Sequence, residues 1–236
     1  MTANQVLKEL QAMGNESTKK MLMKNHGIKE PCFGVKIGDM KSIVKRVKVD
    51  HQLALDLYAT GNYDAMYMAG LIADDDKMSK RDLQSWVSKA YGGSLPGSTV
   101  AGVAAGGRYG WDLGLKWIES AKPMVAAAGW ATLAGVVALK DDSELELAAV
   151  KKLVARVGRE IQSAPDAVRY QMNGFLISVG CYIAALKELA IKTGEKIGPV
   201  TADLGNNSCQ IPFAPDYIRK VEDRGAIGKK RKTMKC

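Results

Sequence analysis

Apolar residues recur at spacings of three and four along most of this chain, and no segment alternates for long enough to make a convincing strand. That periodicity restricts the chain to packed amphipathic helices, because a 3.6-residue repeat is what gathers such positions onto one face. The clearest case covers residues 143–161, where Leu147, Val150, Val154, Val157 and Ile161 form the stripe and Ser143 is placed to cap the start. Near the beginning, Val6, Leu7, Leu10 and Met13 share a face, and Gly14 stops that helix. The same pattern predicts helices over 15–26, 39–49, 51–60, 63–73, 79–91, 108–120 and 122–139, with Asp39 at the N-terminal end of its helix. Pro165 opens another that carries Val168, Met172, Phe175, Leu176 and Val179, and a short extended piece is allowed around 199–212. Many helices with short links give an all-α fold, as a bundle or as an α-solenoid of stacked pairs. Aromatic residues are only 6% of the chain, which argues against a β-sandwich. At 236 residues and 47% hydrophobic content, the chain can bury one sizeable core, so the expectation is a single domain over 1–236 ending in a basic tail at 227–236.

One stretch conflicts with its surroundings. Residues 92–114 hold glycines at 92, 93, 97, 102, 106, 107, 110 and 114. Each glycine inside a helix costs roughly 0.5–1 kcal/mol relative to alanine. Two readings stay open here, a backbone brought close to a ligand and a loosened, partly unwound repeat. A phosphate loop is excluded, since no Gly-Lys-Ser/Thr follows.

The formal net charge is +9, which favours a polyanionic partner over a neutral one. Its placement is more informative than its size. Lys41, Lys45 and Lys48 lie at i, i+4 and i+7, on a different face from Met40, Ile43, Val44 and Val47. Lys152, Arg156 and Arg159 repeat that spacing almost opposite the 147–161 stripe. If the helices stack side by side, the two ridges can line one surface for a duplex backbone; the bland alternative is a solvated polar face. The tail adds Lys229, Lys230, Arg231 and Lys232, suited to phosphate contact without sequence preference.

Familiar catalytic patterns are missing. His26 and His51 lie at helix ends with no ligand partner at metal spacing, Asp74–Asp76 reads as a turn, and the cysteines at 32, 181, 209 and 236 show no zinc or disulfide spacing. No cofactor and no metal are expected. Trp86, Trp111, Trp117 and Trp130 fall on helices and each reads more readily as core than as a stacking platform. The N-terminal segment lacks a signal-peptide core and no stretch approaches about 18 apolar residues, so a cytoplasmic protein with no membrane partner is expected.

Several segments resemble a known family. FGVKIGDMKSIVKRVK, YDAMYMAGLIADDDKMS and YQMNGFLISVGCYI are similar, in order, to an entry segment and two repeat helices of bacterial DNA alkylation repair proteins with HEAT-like repeats, the AlkC/AlkD type. The ending, DLGNNSCQIPFAPDYIRKVEDRGAIGKKRKTMKC, is similar to the tail of one subgroup and is the most specific match. The resemblance implies a right-handed solenoid whose concave basic groove embraces double-stranded DNA, damaged or intact. It also implies excision of alkylated purines without base flipping, with an aspartate stabilising the sugar cation and tryptophans and an arginine shaping the cleft. The family's Trp-Asp-Thr-Val-Asp element is met here by PGSTVAG, residues 96–102, in which Thr99 and Val100 agree. Gly97 stands at the tryptophan, Ser98 at the first aspartate and Ala101 at the catalytic aspartate, while the arginine falls near Ala127. Phe175 keeps the later groove aromatic in kind. An alanine cannot stabilise an oxocarbenium ion, so the resemblance carries DNA binding further than glycosylase activity. The alternatives are a glycosylase using other residues, with Asp112 as candidate carboxylate and Trp111 as groove aromatic, and a helical scaffold for a protein partner.

Overall fold

In a computed structural model, which describes residues 1–205 and 210–235, the chain is a stack of helix hairpins with no strand among the described residues. The helices are α1 (Ala3–Met13), α2 (Glu16–His26), α3 (Ile37–Val47), α4 (His51–Ala59), α5 (Tyr63–Ile72), α6 (Lys80–Lys89), α7 (Ala101–Gly106), α8 (Gly110–Trp117), α9 (Pro123–Leu139), α10 (Leu147–Glu160), α11 (Asp166–Tyr182), α12 (Lys187–Ile197) and α13 (Ala214–Asp223). Local chemistry sets many of the starts. Asp50 accepts the Leu53 N–H at 3.1 Å, Asn62 accepts that of Ala65 at 3.1 Å, and Ser79 and Asp82 cap each other reciprocally.

Short links make each hairpin antiparallel, so α5, α7, α9 and α11 all run in one direction and pack on one another as a second layer behind α4, α6, α8 and α10. Two buried clusters fill the stack. One gathers Val6 through Val103 with Leu113, Trp117 and Ala128; the other centres on α9, α10 and α11 and extends to Ile218. This is an α-solenoid of HEAT-like helix pairs, as the periodicity and the resemblance predict.

Several local expectations are corrected. Ser143 does not cap α10; it sits in a separate 3₁₀ turn, Asp142–Glu144, and the helix begins at Leu147 after Glu146. Asp39 lies in the first turn of α3, as expected, but the helix begins two residues earlier, at Ile37. The described part of 199–212 contains no strand. The glycine-rich stretch is neither simply unwound nor open to a ligand over most of its length. Residues Leu95–Val100 form a wide π-helical turn that continues into α7, and the glycines beyond it are contact points. A Cβ on Gly114 would lie 2.8 Å from the Leu133 side chain, and one on Gly129 of the facing helix 2.6 Å from the Ile118 nitrogen. The missing side chains allow α8 and α9 to approach more closely than alanine would permit, which offsets the propensity cost.

The basic tail folds back across the helices. The Gly228 N–H donates to Cys181 O at 2.8 Å, Arg231 N–H to Ala138 O at 2.8 Å, and Lys235 Nζ to Ala73 O at 2.6 Å. Met234 lies over Gly102 and Gly135. The tail thus runs along the C-terminal ends of α11, α9, α7 and α5 in turn. Those ends carry unpaired carbonyls and the negative pole of each helix, which explains why lysines are drawn there.

Candidate nucleic-acid interface

Because the second-layer helices are parallel, the solenoid has two chemically distinct edges. One collects the N-terminal ends of α5, the π-turn, α9 and α11; the other collects their C-terminal ends under the tail. A cleft of about 410 Å³ opens at the N-terminal edge. Pro96, Gly97 and Ser98 of the π-turn, Met124 and Ala127 of α9, and Ala167, Tyr170 and Gln171 of α11 line it. His26, the glycine pair at 92–93 and Asp203 complete the rim. Two contacts tie this rim together: Gly93 N–H donates to His26 O at 3.0 Å, and Ser94 N–H to the Tyr63 hydroxyl at 3.3 Å.

Three positions that the resemblance aligns with catalytic or cleft-shaping residues, Gly97, Ser98 and Ala127, converge on this one cleft. Ala101 does not; it is buried at 2% exposure, behind the π-turn. The cleft therefore gathers the positions that the resemblance aligns with a tryptophan, an aspartate and an arginine, but not the one aligned with the catalytic aspartate. Asp203 is the one carboxylate lining it among the described residues, and it is exposed at the lip, accepting the Gly205 N–H at 2.8 Å.

Electrostatically the N-terminal edge favours anions. Helix N-termini present partial positive charge, and Lys24, Lys29, Lys89 and Lys122 are exposed there with no ion pair among the described residues. The nearby acids are largely engaged: Glu30 by Lys19, Glu119 and Glu160 by Arg156, and Asp166 by Arg169. These four lysines escaped the sequence reasoning because they sit at helix ends and in loops, where no i, i+4 ridge marks them.

The residues singled out from sequence are dispersed. Lys41 and Lys45 are exposed on α3, which packs on α1 and α5 near the start of the stack, while Lys48 lies just past its end, at φ 60°, and is off the helical ridge. Lys152 and Arg159 are exposed on α10, in the first layer toward the other end. The two ridges do not form a single surface. Arg156 is not a free cation: it pairs with Glu119 and, at 2.7 Å, with Glu160, and its guanidinium lies 5.9 Å from the Trp130 ring centre. Those carboxylates raise its pKa further above the ordinary arginine value. Phe175 is no groove aromatic, since it is fully buried edge-on against Trp130, 5.3 Å between ring centres. Trp86, Trp117 and Trp130 are likewise core.

Asp112 and Trp111 begin α8, at the C-terminal edge and away from the cleft. Asp112 is exposed and paired with Lys80 at 3.0 Å, and Trp111 walls a separate hollow of about 200 Å³ with Arg108 and Lys140. In the tail, Lys230 is turned inward to Val137 O at 3.0 Å and Asp142 at 2.8 Å, so it is not available to phosphates; Lys229, Arg231 and Lys232 remain outward. Cys32 and Cys181 are buried, and burial pushes their thiols up to about 12 and about 11, which removes them as nucleophiles. Cys209 and Cys236 lie outside the described residues. No group of His, Cys, Asp and Glu able to hold a metal occurs among the described residues, and no single helix there is long and apolar enough to cross a membrane.

A solenoid of helix hairpins, with a cleft at its parallel N-terminal ends in place of a catalytic constellation, defines a HEAT-like repeat protein. The chain belongs to the DNA alkylation repair enzyme family, whose pattern matches residues 6–197. It is 31% identical over 230 residues to the uncharacterized protein Lin0241 of Listeria innocua, covering 95% of this chain and 99% of that one. Lmo0209 of Listeria monocytogenes, also uncharacterized, is 30% identical over the same length and coverage. Among solved structures, a protein from a family related to the HEAT-like repeat DNA glycosylases with affinity for branched DNA structures superposes with a TM-score of 0.90, at 36% identity and full coverage of both chains.

Proposed function

We propose that this chain is a DNA-binding HEAT-like repeat protein that holds branched DNA, with the N-terminal edge and its cleft as the principal interface. The observation that carries this is the convergence, on one edge, of four helix N-terminal ends, unpaired lysines and the family's cleft position. The full-length similarity to a protein from a family with affinity for branched DNA supports the branched form over a plain duplex. The lysines of α3 and α10 extend the positive field without forming the cleft. Base excision is not part of the proposal, because Gly97, Ser98 and Ala127 supply neither a carboxylate nor a guanidinium to a developing sugar cation.

The test is binding to a four-way junction and to a linear duplex of equal length across a salt series. The junction is expected to bind more tightly, with affinity on both falling steeply as salt rises. Reversing Lys89 and Lys122 to glutamate should weaken both by about tenfold or more and flatten the slope by about two. Absence of binding to either DNA at low salt would sink the proposal and leave a scaffold for a protein partner.

A further inference from the structure

The C-terminal edge holds a second charged surface that the cleft does not use. The turns that close it, residues 74–80, 107–112 and 140–146, contain eight acids and four cations, so without the tail this edge is acidic. The tail brings five cations and no acid over residues 229–235, which takes the edge from a formal charge of −4 to +1. Its charges are divided. Lys230 and Lys235 point inward, to the carbonyls of Val137 and Ala73 and to Asp142 and Asp75. Lys77, Lys80 and Lys140 neutralise Asp74, Asp112 and Glu144. That leaves Lys229, Arg231, Lys232 and Arg108 exposed with no acidic partner among the described residues, against three acids of the turns, Asp76, Asp141 and Glu146, that have no ion pair there.

The outward cations are not a loosely solvated end. Arg231 is pinned through its own N–H to Ala138 O, and the inward lysines and Met234 anchor the chain on either side. Arg231 and Lys232 overhang a hollow of about 260 Å³ whose wall includes Lys140 together with Asp75 and Glu144, each paired to a lysine, and the adjoining hollow holds Arg108 and Trp111 beside Glu146. Like charges fixed side by side repel one another. Holding them on an anchored backbone lowers the ordering cost of meeting a polyanion.

Position decides what that polyanion is. α9 has 17 residues and is about 25 Å long, and Ala127 in the cleft is separated from Lys140 on the tail edge by roughly 20 Å of helix. Two cationic surfaces at opposite ends of one helix suit a ligand that leaves the protein in more than one direction. The geometry points to the tail edge as a second DNA site, which takes the backbone of another arm of a branched DNA while the cleft edge holds the first. This rests on the proposed DNA-binding reading and adds to it the residues that distinguish a branch from a duplex. An acidic protein is the competing ligand, and the cleft edge proposed for DNA at the other end of the same helices favours DNA.

The test compares wild type with the triple variant Arg108→Ala, Arg231→Ala, Lys232→Ala on a four-way junction and a linear duplex. Circular dichroism and the thermal midpoint check folding, and the charge-preserving pair Arg231→Lys, Lys232→Arg serves as a second control. The triple variant is expected to lose about tenfold or more on the junction and under threefold on the duplex, lowering the junction's salt slope by two to three. The charge-preserving pair should bind as wild type does. Equal losses on both DNAs would place the tail on the cleft's own surface and overturn the inference. No loss on either would also overturn it, and would leave these cations to an acidic protein. A wild type that binds no DNA at all would instead remove the underlying reading, so the two failures are separable.

Discussion

A carboxylate lies near each end of helix α5, Asp64 buried in its first turn and Asp75 half-buried past its last, and the two are satisfied in opposite ways. Asp64, in its first turn, is fully buried and accepts N–H donation from Phe33 at 2.6 Å, Gly34 at 3.2 Å and Val35 at 2.8 Å. It needs no cation, because backbone amides and the positive end of the helix already surround it. Asp75 lies just beyond the last turn, where helix carbonyls make the field negative. Its partner, Lys235 at 2.7 Å, comes from the far end of the chain, and burial still holds its carboxyl above the usual aspartate range. The same side chain is thus self-sufficient at one edge and dependent on the tail at the other. The contrast extends to the whole second layer: parallel helices make one edge ready for anions, and the other becomes so only when the tail is laid on it.

The most severe test of this contrast is at Asp64. Asp64→Ala strands three backbone amides, two of them buried, each worth about 1.5–3 kcal/mol when bonded to a charged acceptor, so a loss of about 5 kcal/mol or more is expected in urea unfolding. Asp64→Asn keeps one acceptor oxygen and should lose roughly half as much. A loss below about 1 kcal/mol for the alanine variant would mean that the 33–35 loop finds other partners, and the self-sufficiency of that edge would be wrong.

At the opposite edge a smaller effect is expected. Lys235→Met should cost about 1–2 kcal/mol, since it uncovers Asp75 and the Ala73 carbonyl in a site that is only partly dry. Adding Asp75→Asn should recover much of that loss, because the orphaned charge is then gone. The pH dependence has a definite sign. A carboxyl raised in the folded state favours folding when protonated, so its contribution is complete below about pH 4 and is lost as pH rises through the folded value. Lys235→Met removes the one cation pulling Asp75 down, and should therefore steepen the decline toward neutral pH. Asp75→Asn should flatten it. A Lys235→Met variant as stable as wild type at every pH would show that the tail does not hold this edge.

Legibility in the sequence follows the range of the contacts. Helix positions could be read because periodicity and caps such as Asp50, Asn62 and Ser79 act within a few residues. Gly97, Ser98 and Ala127 could be placed at a cleft through the resemblance, although nothing local marks them as neighbours. The glycine-rich stretch misled because its reasons are remote: Gly114 is small to admit Leu133, and Gly102 lies under Met234. The course of the basic tail is not legible in the sequence, because the bond from Lys235 to Ala73 joins residues 162 apart. Arg156 and Phe175 show the same limit. Helical spacing places a residue on a face but does not say whether that face meets DNA, Glu119 or Trp130.

The smallest expected effect is at Asp112, and it tells the edges apart by function rather than by stability. Its side chain is 64% exposed and its bond to Lys80 spans 3.0 Å, so Asp112→Asn should change stability by under about 0.5 kcal/mol. The substitution removes one acid from the tail edge and frees Lys80 there. If that edge meets a second DNA arm, junction affinity should rise slightly, by about twofold, while duplex affinity stays within error. If Asp112 instead served base release at the cleft, the substitution would abolish release of alkylated purines and leave the junction-to-duplex ratio alone. Its place at the start of α8, on the tail edge, argues for the first outcome, since a carboxylate stabilises a sugar cation only when it is within close contact of it.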